Sequence, residues 1–341
     1  MRVCVELSGE SLPLALAELD GASRAIGGAI VPPATAGAGA KVVEVDVPDL
    51  AAARSLLARL ALAHRAVYFH GKLPEGSAPA WWATEAAKGE TAVIRWQGHE
   101  RRAARDPALL GLARAWTSAG GRIDLSHPAR RFWLRPLPNG GTDVGEEIGT
   151  VDRSALLARR MSRLPFQRPV GLDPRFARAA VNLARVRPDE RVVDPFVGTG
   201  ALLAEAALLG ARVTGIDVDP QMIRGAARNF EHLGVSAESW VVADAAEPHT
   251  GPGSDQPYDA LVTDVPYGRS SGTQGEPVGL LLQRVLPLWA ARVRPEGRIV
   301  IVSAAEVDVL GDAWTRRVSV PVRQHRSLTR IFSLYERSPV R

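Results

Sequence analysis

Four consecutive residues carry the chemistry that an amine on an aromatic ring would need: Asp264, Val265, Pro266 and Tyr267. Such an amine is a poor nucleophile, because its lone pair is delocalised into the ring. A carboxylate and a backbone carbonyl that accept its two N–H bonds would orient it for attack. The proline would fix the loop, and the tyrosine ring offers a flat face on which another ring could stack. The alternative is that these residues only end a strand and form a turn.

A second segment, residues 192–200, reads Val-Val-Asp-Pro-Phe-Val-Gly-Thr-Gly and precedes an aliphatic run. This pattern predicts a buried strand, a tight turn and the start of a helix. Glycines let the backbone approach a ligand closely, and a helix N-terminus offers free N–H groups. The next predicted strand ends at Asp217, whose carboxylate can accept both hydroxyls of a ribose. Leu203 replaces the third glycine of the dinucleotide fingerprint, so an adenosine-type site is favoured over an NAD site.

The two motifs, in this order, resemble those of class I S-adenosylmethionine-dependent methyltransferases that act on exocyclic amines of bases. In that family the second motif is usually Asp/Asn-Pro-Pro-Tyr/Phe, and Val265 here replaces the first proline at a position that contributes a backbone carbonyl. The resemblance implies that Asp264, Val265, Pro266 and Tyr267 bind the target amine and base, with no metal. It implies cofactor contacts at Asp194, Phe196, Gly198, Thr199, Gly200, Asp217, Val218, Asp244 and Asp264. For Asp244, the alternative is a residue that only caps a loop.

The N-terminal half shows strand and helix patterns in the order β-α-β-β-α-β over residues 1–71, which predicts a ferredoxin-like domain. Residues 72–79 are rich in Gly, Pro and Ser. Residues 72–150 resemble the THUMP domain, an RNA-binding module of tRNA-modifying enzymes. The resemblance rests on a helix that ends at Gly120-Gly121, then the pattern Ile-Asp-Leu-x-x-Pro, then a strand. The alternative is an unrelated α/β accessory domain.

Residues 151–187 contain nine arginines and two aspartates, a local charge of +7. Such a density predicts an electrostatic surface for phosphates, with a solvated helix face as the alternative. RNA contacts are expected at Arg163, at Arg168, and at Arg269 in a polar loop beside the Asp264 motif. We interpret residues 151–172 as an Arg-rich linker and residues 173–341 as the methyltransferase domain.

Composition is that of an ordinary globular protein, with 341 residues, 46% hydrophobic and 23% charged. We find no apolar run of about 18 residues and no signal-peptide pattern, so no membrane span and a cytoplasmic location are expected. Cys4 is the only cysteine, which excludes internal disulfides and cysteine-rich metal sites. The seven histidines show no metal-ligand spacing.

Over nearly its whole length, and most strongly over residues 161–268, the chain resembles archaeal-type tRNA (guanine-10-N2)-methyltransferases. The resemblance implies a Rossmann-like C-terminal sheet joined to a ferredoxin-like and THUMP α+β half. It also implies tRNA as substrate, one or two methyl transfers, and a monomer or a complex with a small activating subunit. Three alternatives stay open: another tRNA or ribosomal RNA position, N6-adenine methylation, and a nucleic-acid-binding protein without catalysis.

Overall fold

The computed structural model describes residues 1–32, 41–72, 78–97, 102–137, 141–168, 171–247, 256–266, 277–325 and 328–337. By its internal contacts the chain divides into two compact units. The first comprises Met1–Glu6, Val31–Leu57 and His64–Thr150, and the second comprises Leu7–Ile30, Ala58–Ala63 and Val151–Arg341. The domain boundaries given above at residues 71, 150 and 172 stay predictions.

The N-terminal elements follow the predicted order over residues 1–71. They are β1 (Arg2–Leu7), α1 (Leu12–Ala25), β2 (Ala29–Ile30), β3 (Val42–Asp46), α2 (Leu50–Arg59) and β4 (Ala63–Lys72). The next elements are α3 (Ala80–Ala86), β5 (Thr91–Trp96), α4 (Arg102–Ser118), β6 (Arg122–Ile123), β7 (Arg130–Pro136) and β8 (Thr142–Thr150). Within the first unit the strands lie side by side in the order β3-β1-β4-β8-β7-β5-β6.

An aromatic cluster forms part of the core of the first unit. Trp82 on α3, Trp116 on α4 and Phe132 on β7 are each fully buried. The ring centroids of Trp82 and Phe132 lie 4.5 Å apart, and those of Trp82 and Trp116 lie 5.1 Å apart. Because large rings bury much apolar surface, these three side chains hold α3 and α4 against the sheet.

The second unit contains a seven-stranded sheet. Its elements from residue 151 onward are α5 (Arg153–Ala158), a 3₁₀ turn (Met161–Arg163), α6 (Pro174–Leu183), β9 (Arg191–Asp194), α7 (Ala201–Ala207), β10 (Arg212–Asp217), α8 (Pro220–Leu233), β11 (Ser239–Val242), β12 (Tyr258–Asp264), α9 (Val278–Ala290), β13 (Val293–Ser303), β14 (Trp314–His325) and β15 (Leu328–Arg337). The strand order is β11-β10-β9-β12-β13-β15-β14. Strands β9 to β13 pair in parallel, whereas β15 is antiparallel to both β13 and β14. The predicted Rossmann-like sheet is thereby confirmed.

The central strands of this sheet are buried, which explains their continuous apolar sequence. Ala260, Leu261 and Val262 on β12 and the run from Ile299 to Val302 on β13 are each 0% exposed. Parallel strands covered on both faces read as apolar runs rather than as alternating patterns. Polar residues therefore accumulate where these strands end, and the candidate site lies there.

Helix α6 is tied to α1 by a buried polar network within the second unit. The carboxylate of Glu18 accepts the backbone N–H groups of Ala61 and Leu62, both at 2.8 Å, and Nδ2 of Asn182 at 2.9 Å. Nε of Arg59 donates to Oδ1 of Asn182 at 3.0 Å. Because Glu18, Arg59 and Asn182 are all buried, their mutual hydrogen bonds satisfy groups that water cannot reach.

The same two helices approach each other closely at Gly21. A Cβ atom placed there would lie 2.2 Å from the carbonyl oxygen of Asn182, so no larger residue fits without separating α1 from α6. Helix α6 in turn contacts α7, because Nε of Arg178 donates to Glu205 at 2.6 Å. The N-terminal helix α1 thus supports, through α6, the helix that follows the glycine turn.

Candidate active site

The turn after β9 is organised by Asp194, which is 2% exposed. Its Oδ1 accepts the backbone N–H of Phe196 at 3.0 Å and the hydroxyl of Thr263 at 2.6 Å. Burial raises the pKa of Asp194 to about 7, and the negative charge of Asp264 raises it as well, while the two hydrogen bonds oppose the shift. Asp194 therefore closes the turn and ties the end of β9 to β12, while a contact with a cofactor stays a prediction.

The two glycines of this turn serve different purposes. Gly198 has φ +52° and Gly200 has φ +83°, in the left-handed region that other residues rarely adopt. At Gly200, a Cβ atom would lie 3.2 Å from atoms of Ala226 and Phe230, so this glycine permits close packing of α8. At Gly198, it would meet only the carbonyl oxygen of Phe196, at 3.9 Å, among the described residues. Gly198 thus leaves its backbone accessible to a ligand.

Asp217, at the end of β10, binds the glycine turn and the start of α8. Its Oδ2 accepts the N–H of Gly198 at 3.0 Å, and its Oδ1 accepts the N–H of Asp219 at 2.9 Å. Burial raises the pKa of Asp217, and both hydrogen bonds lower it. Each carboxylate oxygen keeps a second lone pair, which could accept a ribose hydroxyl. Val218 follows with 36% of its surface exposed.

The loop after β11 holds Asp244. Oδ1 of Asp244 accepts the N–H of Ala246 at 2.8 Å, and Oδ2 lies 3.5 Å from Nη1 of Arg284. The last residue of β11, Val242, pairs in register with Asp217 and is 53% exposed. Val242 is not among the site residues predicted from the sequence. Its position at the carboxyl end of a parallel strand could have indicated a site residue, because sheets of this kind bind ligands at that edge.

Asp264 ends β12 and carries the most distinctive carboxylate of the site. Its Oδ2 lies 3.2 Å from Nη2 of Arg330, whose side chain is 2% exposed. Its Oδ1 is buried and has no hydrogen-bond partner among the described residues. Burial raises the pKa of Asp264 to about 7, and the charge of Arg330 lowers it. An acceptor in this state is suited to a ligand N–H group, because leaving it without a partner costs free energy.

The residues after Asp264 are only partly described. Val265 is 1% exposed, and its N–H donates to the carbonyl of Val302 at 3.0 Å, which fixes its backbone. Pro266 is half-buried. Tyr267 and Arg269, both predicted site residues, lie outside the described residues.

The sheet order brings the predicted carboxylates together at one edge. Asp194, Asp217 and Asp264 end the strands β9, β10 and β12, which are parallel neighbours around β9. Arg330 reaches this edge from β15 and was not found from the sequence, because its partner lies far away along the chain. No group of three or more His, Cys, Asp or Glu residues suited to a metal ion occurs within the described ranges.

Several arginines of the Arg-rich segment form ion pairs with the protein's own carboxylates. Arg159 and Arg178 both bind the buried carboxylate of Glu205, with shortest distances of 2.6 Å. Three further arginines of the segment also form ion pairs with carboxylates: Arg160, Arg175 and Arg185. These five arginines therefore bind carboxylates of the protein itself, and the interpretation of the segment as a phosphate-binding surface stays a prediction.

The two arginines predicted to contact RNA are placed differently. Arg163 is exposed at the end of the 3₁₀ turn. Arg168 is half-buried, with its guanidinium 4.7 Å from the ring centroid of Phe166 and Nη2 3.4 Å from Oε1 of Gln221. Their role in RNA binding stays a prediction. None of the described helices is both long and apolar enough to cross a membrane.

Sequence comparisons relate the second unit to known methyltransferases. A family model described as "RMKL-like, methyltransferase domain" matches residues 160–326. A tRNA (guanine(10)-N2)-dimethyltransferase of Methanothermobacter thermautotrophicus is 32% identical over 224 residues, which cover 64% of this chain and 64% of that protein. The protein of the same name from Pyrococcus abyssi is 33% identical over 232 residues, covering 64% and 65%. The matched part is thus just under two thirds of each relative.

A solved structure with the same fold spans the chain. The crystal structure of TrmN from Thermus thermophilus matches with a TM-score of 0.51 and 21% identity, covering 99% of this chain and all of that one. The chain therefore shares the fold of that structure, and its Rossmann-like sheet agrees with the methyltransferase family model over residues 160–326. The two archaeal relatives described above are named for the N2 atom of guanine 10 in tRNA.

Proposed function

We propose that the protein transfers a methyl group from S-adenosylmethionine to the N2 amine of guanosine 10 in tRNA, once or twice. The observation that carries this proposal is Oδ1 of Asp264, which is buried and has no partner among the described residues. It lies beside the fixed backbone of Val265, so an amine with two N–H bonds would find two acceptors. The names and similarity of the two archaeal relatives support guanine in tRNA as the target.

The residues at the strand ends fit the cofactor. The backbone at Gly198 is open to a ligand, and Asp217 offers free lone pairs on both oxygens. Val218, directly after β10, and Val242, at the end of β11, present exposed apolar surface suited to an adenine ring. Asp244 would accept the adenine amine. The cofactor supplies a methyl group on a positively charged sulfur atom.

The protein's own task is to orient the target and exclude water. Oδ1 of Asp264 would accept one N–H of the guanine amine, and the carbonyl of Val265 would accept the other, which aims the nitrogen lone pair. The Asp264 carboxylate would then hold the proton that the amine releases. Pro266 and Tyr267 would stack on a base that has left its helix.

The N-terminal half and the arginines would hold the tRNA. We propose that residues 72–150 form a THUMP-like RNA-binding domain. The support is the sequence pattern Gly120-Gly121 followed by Ile-Asp-Leu-x-x-Pro, which stands between helix α4 and strand β7. Arg163, Arg168 and Arg269 would bind phosphates beside the site. On this proposal the protein acts in the cytoplasm as a monomer, or with a small activating subunit.

Two tRNA transcripts that differ in one amine test the proposal. One carries guanosine at position 10, and the other carries inosine, which lacks the 2-amino group. With methyl-labelled S-adenosylmethionine, we expect label in the guanosine transcript and none in the inosine transcript. Equal labelling of both transcripts would show that another atom is methylated.

A further inference from the structure

We propose that Arg330 is a positioning residue, which keeps Asp264 in its carboxylate form and leaves Oδ1 free for the target amine. This inference rests on the proposed function, because it concerns the same amine. It assigns a role to the β14–β15 hairpin, which neither motif includes.

The geometry fixes the pair tightly. Asp264 pairs in register with Val302 on β13, and Val302 pairs with Phe332 on β15, so β15 is two strands away from Asp264 in the sheet. The side chain of Arg330 spans this distance, and its Nη2 lies 3.2 Å from Oδ2 of Asp264. A guanidinium that is only 2% exposed is costly to bury without a counter-charge, and Asp264 supplies one.

The ion pair leaves the two oxygens of Asp264 in different states. Oδ2 faces the cation, whereas Oδ1 is the buried oxygen that has no partner in the described part of the chain. Arg330 therefore occupies one side of the carboxylate and leaves the other side for a donor. It acts on the substrate through Asp264 and does not need to touch it.

The charge of Arg330 also matters for the ionisation of Asp264. Within the described residues, the charged groups that act on this carboxylate are Arg330 from β15 and Asp194 from β9. Burial raises the pKa of Asp264 to about 7 even with Arg330 beside it, and Asp194 is a second acid that disfavours another negative charge. Without the guanidinium, the neutral acid would persist to higher pH, and its O–H could donate to the amine instead of accepting from it.

The test compares the pH dependence of kcat/KM for tRNA methylation in four variants, each first shown to be folded by its thermal unfolding. In R330M, we expect the acidic limb of the profile to move up by roughly one to three pH units. Because the wild-type pKa is about 7, the loss at pH 7 is about 5-fold for a shift of one unit and larger for a larger shift, and activity recovers at high pH. R330K should keep the limb near its wild-type position, because it restores a cation. R317M is the matched control, since Arg317 lies on the same hairpin, is 46% exposed and pairs with Glu336.

A second neutral variant, R330Q, covers the case in which R330M does not fold, and the same shift is expected for it. A loss that is equal at every pH, with an unmoved limb in the folded neutral variants, would overturn the inference. Titration of the Asp264 carboxyl itself tests the role of Arg330 independently of whether the protein methylates tRNA. The ¹³C resonance of the Asp264 carboxyl, assigned with D264N, should titrate at higher pH in R330M or R330Q even if wild-type protein methylates no tRNA. An unshifted titration would overturn the inference.

Discussion

Replacement of Glu18 by Gln should change how the stability of the protein depends on pH. Glu18 is fully buried and accepts three N–H bonds, from Ala61, Leu62 and Asn182. Burial raises its pKa from an ordinary value of 4.5 to about 7, against the opposing effect of those hydrogen bonds. Gln has nearly the same shape but does not ionise, so the substitution removes this titration. Its NH2 group also replaces one acceptor oxygen, which lowers stability by an amount that does not depend on pH.

The sign and size follow from the two pKa values. Between pH 4.5 and about 7 the folded protein holds the Glu18 proton, whereas the unfolded chain has released it. Stability therefore falls as pH rises through this window. The difference between 4.5 and about 7, at about 1.36 kcal/mol per pKa unit, is roughly 3 kcal/mol. Asp194 and Asp264 are also buried acids with raised pKa values, but they are present in both proteins and cancel in the comparison.

Urea unfolding at a series of pH values from 5 to 8 measures the effect. The free energy of unfolding of wild type relative to E18Q should fall by roughly 2.5 kcal/mol across that range, because the range begins above the unfolded pKa of 4.5. The control is D20N on the same helix, because Asp20 pairs with the exposed Arg24 at 2.9 Å and is not buried. D20N removes a carboxylate from the same helix and leaves the buried one in place, so D20N should retain the pH dependence that Glu18 causes. A difference between wild type and E18Q that does not change with pH would refute the reasoning.

Three other predictions concern the site. Thr263→Val removes the 2.6 Å hydrogen bond to Asp194 and should lower the free energy of unfolding by roughly 1–3 kcal/mol. Thr263→Ser keeps the hydroxyl and the hydrogen bond. Equal stability of the two variants in urea unfolding would contradict this role of the hydrogen bond. Asp264→Ala should abolish methyl transfer, while binding of S-adenosylmethionine, measured by calorimetry, largely persists. Turnover at the wild-type rate would show that Asp264 does not orient the target amine. Replacing Arg163 and Arg168 by Ala should weaken tRNA binding and reduce its salt dependence, by about 0.9 in log–log slope for each phosphate that the variant no longer neutralises. Unchanged tRNA binding at both low and high salt would show that these two arginines contact solvent and no phosphate.

The parts of the fold set by local sequence could be predicted. The positive φ angles at Gly198 and Gly200 need glycine, and the apolar runs of β12 and β13 are typical of buried parallel strands. The positions of Asp217 and Asp264 could be predicted because each is the acidic last residue of a largely apolar strand, β10 and β12 respectively. Each of these predictions depends on residues that lie within a few positions of one another in the sequence.

The parts set by contacts between distant residues could not be predicted. Glu18 and Asn182 form a hydrogen bond although 164 positions separate them, and no periodicity reports such a pair. For the same reason the sequence did not link Arg330 to Asp264, or Arg159 and Arg178 to Glu205. A dense run of arginines therefore suggested a surface for phosphates where several of the side chains bind the protein's own carboxylates.

The central claim is tested most directly by the identity of the methylated nucleoside. Purified protein would be incubated with methyl-labelled S-adenosylmethionine and unmodified tRNA transcript, and the product digested to nucleosides. We predict N2-methylguanosine or N2,N2-dimethylguanosine, mapped to position 10. Label only in N6-methyladenosine, label only in ribosomal RNA, or no transfer despite measurable cofactor binding would contradict the claim.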